Sequence, residues 1–443
     1  MTYTLHNYQR RAIEFCKRTD KAILSIGCGL GKTASILHYI DESKPASLLI
    51  VAPKRVAETV WKQEAEKWGL TDLNERLQIV TGTKTKRQQI IRSSDYIVIG
   101  RDNLEDVRGI NVDLLILDEL TSFKNPQSKR TDAVCSIIAN QRIGMTGTFL
   151  TNGEIDCFGQ FAAMEIGGRM TKKERISAFY RWRATHFQDL LAGSGLQFHK
   201  WKLVTPLDQL LKNVRQNIFT LDTKDWLDIP EVEYIEHYVT LSEAEMTEYI
   251  KLNTMLNCTL DDEIVSFNEN QKFAKLQTLC DGFVYVNDTV VRSEHSTKLD
   301  EVVDFVDRCV SEGEQVLLFY SFREEKAWLE EKLKKLHITF CDVKDKMFMQ
   351  KWNNKDVDVL MGHPAGSGHG LNLHLSGARI CVWSTITYDF ELWGQANARL
   401  ARQGQRRNVQ IHSFMAKDTV EKQKMLALRR KYATANDFVN LTK

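Results

Sequence analysis

The stretch Gly27-Cys28-Gly29-Leu30-Gly31-Lys32-Thr33 constrains the fold of this chain more than any other. It follows an apolar run, Ala22-Ile23-Leu24-Ser25-Ile26, and precedes a helix-like segment from Thr33 to Ile40. A strand, a glycine loop ending in Gly-Lys-Thr and a helix form the layout that wraps a phosphate. Glycine lets the backbone turn its N–H groups around an anion where a Cβ would block the approach. The helix start adds partial positive charge. In this layout Gly29 and Gly31 lie against the phosphates. Lys32 reaches the β- and γ-phosphates of a nucleotide, and Thr33 holds Mg²⁺. A bare glycine turn is the competing reading, and the flanking strand and helix argue against it.

The first half of the chain alternates strands and helices around that loop. Gln9 lies just upstream, and its amide both donates and accepts, which suits it to read adenine. An apolar strand from Ser47 to Val51 runs into Pro53-Lys54-Arg55, and another from Tyr96 to Gly100 runs into Arg101. Basic turns at strand ends can touch a phosphate backbone. The run Asp113-Leu114-Leu115-Ile116-Leu117-Asp118-Glu119 ends a buried strand in paired carboxylates. Asp118 would join Thr33 at Mg²⁺, and Glu119 would polarise the attacking water. Thr146-Gly147-Thr148 closes a further strand with small hydroxyls. Alternation of this kind predicts a parallel sheet flanked by helices.

A second α/β unit is expected from Thr297, with strands at 316–320, 357–361 and 379–383. It carries a glycine loop, His363 to Leu373, and then Gln395, Arg399 and Arg402 at helical spacing. On one helix these three share a face, and paired arginines suit bidentate phosphate contacts. No third ligand joins the loop's histidines, so no metal site is read there.

Taken together, Tyr8-Gln9, Gly29 to Thr33, Asp118-Glu119 with Phe123-Lys124-Asn125, and Thr146-Gly147-Thr148 with Asn152 resemble the motor core of superfamily-two helicases. The likeness is closest to the Swi/Snf-like branch of DNA translocases. Gln395-x-x-x-Arg399-x-x-Arg402-x-Gly404-Gln405 resembles the sixth motif of that family, and Gly370-Leu371-Asn372-Leu373 its fifth. The resemblance implies two RecA-like lobes that clamp ATP and Mg²⁺, with a helical insertion between them. It implies catalytic roles for Lys32, Asp118, Glu119, Arg399 and Arg402, with Gln9, Gly370 and Gln395 also at the nucleotide. Pro53, Lys54, Arg55, Arg101, Thr146 and Asn372 would meet DNA. The compact build is similar to phage and prophage members. The corresponding segmentation is lobe 1 at 1–163, a basic helical insertion at 164–235, a helical bridge at 236–296 and lobe 2 at 297–443.

Charge adds one observation. The whole chain is only +2, yet residues 169–215 hold ten Lys or Arg against three Asp or Glu. Aromatics (Phe179, Tyr180, Trp182, Phe187, Phe198 and Trp201) are interleaved with them. Such a stretch suits a nucleic-acid backbone, or equally a helical insertion with a solvated basic face and an aromatic core. Nine cysteines without a Cys-x-x-Cys pair suggest neither zinc nor disulfides, and a reducing cytoplasm is expected. No apolar run approaches a membrane span. The expected function is an ATP-dependent DNA translocase or helicase. The alternative is a nucleotide-dependent scaffold or motor subunit bound to a protein partner in a larger DNA-processing or restriction complex.

Overall fold

Runs of Val, Ile and Leu buried at every position make strands that are covered on both faces, and such strands pair in parallel. Two sheets of this kind organise the chain in a computed structural model. It describes residues 3–151, 153–190, 192, 201–227, 229–255, 257–260, 263–266, 269–286, 289–367 and 372–443. The expected α/β class, with two parallel sheets flanked by helices, is what the chain adopts. Two compact units result, one of Met1–Leu227 with Lys431–Lys443, the other of Asp228–Arg430.

The first unit holds β1 (Lys21–Ile26), β2 (Leu48–Ala52), β3 (Gln78–Val80), β4 (Tyr96–Gly100), β5 (Asn111–Asp118) and β6 (Ile138–Thr146). A small antiparallel hairpin, β7 (Phe187–Asp189) with β8 (Trp201–Leu203), precedes β9 (Ile218–Leu221). The sheet order is β3-β4-β2-β5-β6-β1-β9, with every pairing parallel. Its core packs Leu49, Val51, Ile97, Ile99, Leu115 and Leu117 on one face. Helices α1 (Asn7–Arg18) and α2 (Lys32–Ser43) flank β1 in sequence.

The second unit holds β10 (Val232–Val239), antiparallel hairpins β11 (Asn257–Leu260) with β12 (Glu263–Ser266) and β13 (Phe283–Val286) with β14 (Thr289–Arg292), then β15 (Val316–Phe319), β16 (Phe340–Asp342), β17 (Val359–Gly362), β18 (Ile380–Trp383) and β19 (Val409–Ala416). Its parallel sheet runs β10-β19-β18-β15-β17-β16.

These divisions fall at different residues from the sequence segmentation. The end of the 164–235 stretch supplies strands rather than helix. β9 adds to the first sheet beside β1, and β10 pairs along its full length with β19 in the second. β9 is four residues long, and β10 lies at a sheet edge with a mixed burial pattern, so neither carries a clean strand periodicity. The last helix, Val420–Thr442, brings the chain back to the first unit. There Phe438 stacks on Phe149 with ring centroids 4.8 Å apart, and the Thr442 and Thr220 hydroxyls meet at 2.7 Å.

A buried ionic cluster fastens the second unit. Lys298 Nζ lies 2.6 Å from both Asp281 and Glu421, and all three side chains are fully buried. Thr385 donates to Asp281 at 3.0 Å, and Lys424 donates to the Ile386 carbonyl at 2.9 Å. Removing one partner strands buried charge on the others. Lys298→Met is therefore expected to destabilise the protein by about 3–5 kcal/mol. Pairing it with Asp281→Asn should cost less than the two single changes added, because both act on one network. Chemical denaturation of the single and double variants checks this, and simple additivity would speak against the network.

Candidate nucleotide site

Parallel pairing puts the C-terminal ends of all the strands of a sheet on one edge, where ligands bind in open α/β folds. In the first unit β5, β6 and β1 are neighbours, with Asp118 opposite Met145 and Ser25 opposite Thr146. The glycine loop, the paired carboxylates and the Thr146 turn therefore emerge side by side from one edge.

The loop has the backbone the sequence calls for. Gly29 (φ +87°) and Gly31 (φ +72°) are left-handed, and α2 begins directly at Lys32. A methyl at Gly31 would overlap the Gln9 amide, and one at Gly147 would sit 3.3 Å from Cys28 Sγ and 3.6 Å from Lys32 Nζ. Glycine thus keeps side chains out of a cradle lined by amides and a lysine, which fits a polyphosphate. Lys32 Nζ donates to the Ile26 carbonyl at 2.8 Å, across the loop. Thr33, half-buried, sits on the first turn of α2. Gln9 is buried. His6 N donates to its Oε1 at 2.8 Å, and its Nε2 donates to the Leu30 carbonyl at 3.4 Å, tying α1 to the loop.

Asp118 ends β5 in a buried position, and burial pushes its carboxyl up to about 6. Lys32, the Glu119 amide, Trp61 and Arg101 pull the other way without cancelling the desolvation. The Glu119 amide donates to Asp118 Oδ1 at 3.1 Å. Glu119 itself is left-handed (φ +55°), a conformation uncommon for a non-glycine residue. A buried acid beside a lysine, with a hydroxyl on the neighbouring helix start, is a donor set for a hard cation such as Mg²⁺.

The residues assigned to DNA divide. Lys54 and Arg55 are exposed after β2, while Pro53 is buried. Arg101 follows β4, the neighbour of β2, and its Nη1 donates to Ser122 Oγ at 2.5 Å. Thr146 is fully buried, and its hydroxyl donates to the Thr148 carbonyl at 2.9 Å, so it closes the turn. In the basic stretch Lys172, Lys173, Arg181, Lys202, Lys212 and Arg215 are exposed. Arg175 is buried against Asp132 at 2.8 Å, and Arg183 stacks 4.0 Å from the Trp201 ring centroid, so part of that stretch is structural. Phe198, Asn152 and Gly370 lie outside the described residues.

In the second unit the expected single helix face is not formed. The helix Phe390–Asn397 carries Gln395, whose Nε2 donates to Glu391 at 3.2 Å, and then ends. Bonds Arg399 N to Ala396 O (3.1 Å) and Leu400 N to Asn397 O (3.3 Å) switch the backbone to tighter turns. Arg399 and Arg402 stand on those turns. Arg399 is buried, and Arg402 Nη1 donates to Asn372 Oδ1 at 2.5 Å, joining two residues taken from different motifs.

Sequence reasoning missed the segment after β9. Thr223 Oγ1 donates to the Cys28 carbonyl at 3.1 Å, and the Trp226 ring lies 5.3 Å from that of Tyr8. The one local hint is Asp222, a helix-capping residue type that follows the short, mostly apolar run Ile218-Phe219-Thr220-Leu221.

The raised Asp118 pKa has a thermodynamic consequence. Its carboxyl is easier to protonate folded than unfolded, so ionisation destabilises the fold as pH rises from about 4 through about 6. Asp118→Asn is expected to melt higher than the parent at pH 8, by the equivalent of about 3 kcal/mol. The gain should vanish near pH 4. Thermal melts across pH read it, and a pH-independent difference would contradict the burial argument.

Comparison with known proteins matches residues 8–289 to the SNF2-related domain. Protein p41 of Acyrthosiphon pisum secondary endosymbiont phage 1 is 28% identical over 450 residues, covering 95% of this chain and 94% of that protein. An uncharacterized ATP-dependent helicase of Mycoplasma genitalium is 24% identical and matches 94% of this chain, which spans 40% of that relative's length. The solved SWI2/SNF2 ATPase core of Sulfolobus solfataricus in complex with dsDNA covers all of this chain and 95% of its own, at 20% identity and a TM-score of 0.44. With its phosphate loop, carboxylate pair and Thr146 turn inside the matched region, the chain belongs to the SNF2-related family, whose relatives here include ATP-dependent helicases.

Proposed function

We propose that the chain is an ATPase that moves on or remodels DNA. The observation that carries the reading is the shared strand edge of β1, β5 and β6, which gathers a phosphate cradle, a buried carboxylate and a strained glutamate. Lys32 and the amides of the Gly27–Thr33 loop would hold the triphosphate, with Gln9 at the base. Thr33 and Asp118 would hold Mg²⁺, which when bound neutralises phosphate charge. Glu119 would orient the attacking water, its left-handed backbone fixing where the carboxylate leaves the strand. Arg399 and Arg402 would supply guanidinium charge to the transferring phosphoryl group, and we assign Gln395 and Gly370 to the nucleotide as well.

For DNA, the reading rests on exposed Lys54 and Arg55 beside Arg101, on Asn372, and on the exposed cations of the 169–215 stretch. The first two open the helical segment that follows Pro53. The near full-length likeness to a phage protein supports a phage or bacterial setting, and the role we assign there is replication, recombination or repair in the cytoplasm.

Turnover of ATP should rise at least tenfold on adding duplex or single-stranded DNA, and the stimulation should fall steeply with salt. Turnover indifferent to nucleic acid at every salt concentration would reject the reading and favour a nucleotide-dependent scaffold. Lys32→Ala should abolish hydrolysis and leave DNA binding within about threefold of the parent, because phosphate contacts to DNA lie elsewhere. Arg402→Ala should retain ATP binding and lose on the order of 10³ in rate. Loss of nucleotide affinity with the rate preserved would contradict the role given to Arg402.

A further inference from the structure

We propose that Thr223 is a positioning residue for the phosphate loop, clipping the segment that leads into the second unit to the nucleotide site. The inference rests on the nucleotide reading above and adds a control element to it.

Three contacts join the segment to the loop. The Gly27 amide donates to the Leu221 carbonyl at 2.9 Å, continuing the β1–β9 pairing one residue into the loop. Thr223 Oγ1 donates to the Cys28 carbonyl at 3.1 Å. Leu227 Cδ1 comes within 3.5 Å of where a Cβ on Gly29 would be. The middle contact matters most. A trans peptide points its N–H opposite to its C=O. Holding the Cys28 carbonyl toward Thr223 therefore turns the Gly29 amide away from Thr223. The hydroxyl sets the direction of a loop amide without touching the phosphates.

The same packing explains Gly27. A methyl there would overlap the Thr223 hydroxyl and crowd its backbone nitrogen, although the φ of Gly27 is not left-handed. Gly27 is thus required by a residue almost two hundred positions away, and not by local conformation.

The segment is itself held from several sides. Asp222 Oδ1 accepts from Lys224 N at 3.2 Å, and Lys443 lies 2.7 Å from Asp225. Trp226 packs on Tyr8, the neighbour of Gln9. Directly after Leu227 the chain passes into the second unit. A displacement of the segment as the chain enters that unit would release the Cys28 carbonyl and free the Gly29 amide to turn. Nucleotide affinity would thereby respond to strain on the connection.

The test compares Thr223→Val, which keeps the shape and removes the hydroxyl, with Thr223→Ser, which keeps the hydroxyl. A fluorescent ATP analogue with Mg²⁺ reads affinity, steady-state turnover separates KM from kcat, and thermal melting reports folding. Thr223→Val should weaken nucleotide binding and raise KM roughly tenfold, with a smaller change in kcat, as expected for loss of one half-buried hydrogen bond that orients the loop. Thr223→Ser should stay within about twofold of the parent. If the valine variant does not fold, Thr223→Ala takes its place with the same expectation. Unchanged affinity in Thr223→Val while Lys32→Ala abolishes binding overturns this inference and leaves the nucleotide reading standing. Equal losses in the serine and valine variants, tracking a lowered melting temperature, also overturn it. A parent protein that binds no nucleotide overturns both readings.

Discussion

Parallel pairing of β5, β6 and β1 is the constraint on which the rest of the site depends. Neighbouring strands lie about 4.8 Å apart, so three consecutive strand ends put their loops within side-chain reach of one another. Ile26, Asp118 and Thr146 are far apart in sequence and become neighbours because their strands share one direction. Both faces of the sheet are buried, and a one-residue slip would exchange Leu115 and Leu117 with Leu114 and Ile116 between two packed faces and disturb both. Core packing and site geometry are here one interaction seen from two ends.

The edge tolerates features that the core does not. Asp118 is buried enough to resist ionisation, Glu119 takes a left-handed backbone, and glycines exclude side chains from the cradle. Each costs folding free energy, and the surrounding strands hold them in place. The second unit shows the opposite arrangement. Its most polar interior, Lys298 with Asp281 and Glu421, is fully paired and lies beneath the turn after β18, where Thr385 joins it. That cluster gives the turn region of the unit a rigid base, while Arg402 and Asn372 meet nearer the surface.

The parts legible in the sequence were those with local causes. The loop from Gly27 to Thr33 announces itself because the glycines, lysine and threonine act within one turn. The apolar runs ending at Ala52, Gly100 and Asp118 read as strands because continuous burial leaves continuous hydrophobicity. The illegible parts have distant causes. β9 is too short to show a period, and its place beside β1 is fixed by tertiary pairing. The bond from Thr223 to Cys28 spans 195 positions and leaves no trace in spacing. The helix end at Asn397 is also tertiary, since Trp383 Nε1 donates to the Asn397 side chain at 2.9 Å and anchors the turn that carries Arg399. The Thr146 hydroxyl closes its own turn through the Thr148 carbonyl, a bond that a hydroxyl at a strand end does not announce in sequence.

The central claim is that the edge formed by β1, β5 and β6 takes a nucleoside triphosphate with its metal. A crystal structure with a non-hydrolysable ATP analogue and Mg²⁺ tests it most directly. The account expects the phosphates against the amides of residues 29–33, Lys32 Nζ moved from the Ile26 carbonyl to a phosphate oxygen, and the metal between Thr33 and Asp118. An analogue seated elsewhere, with Lys32 still on Ile26 and no metal near Asp118, would contradict it.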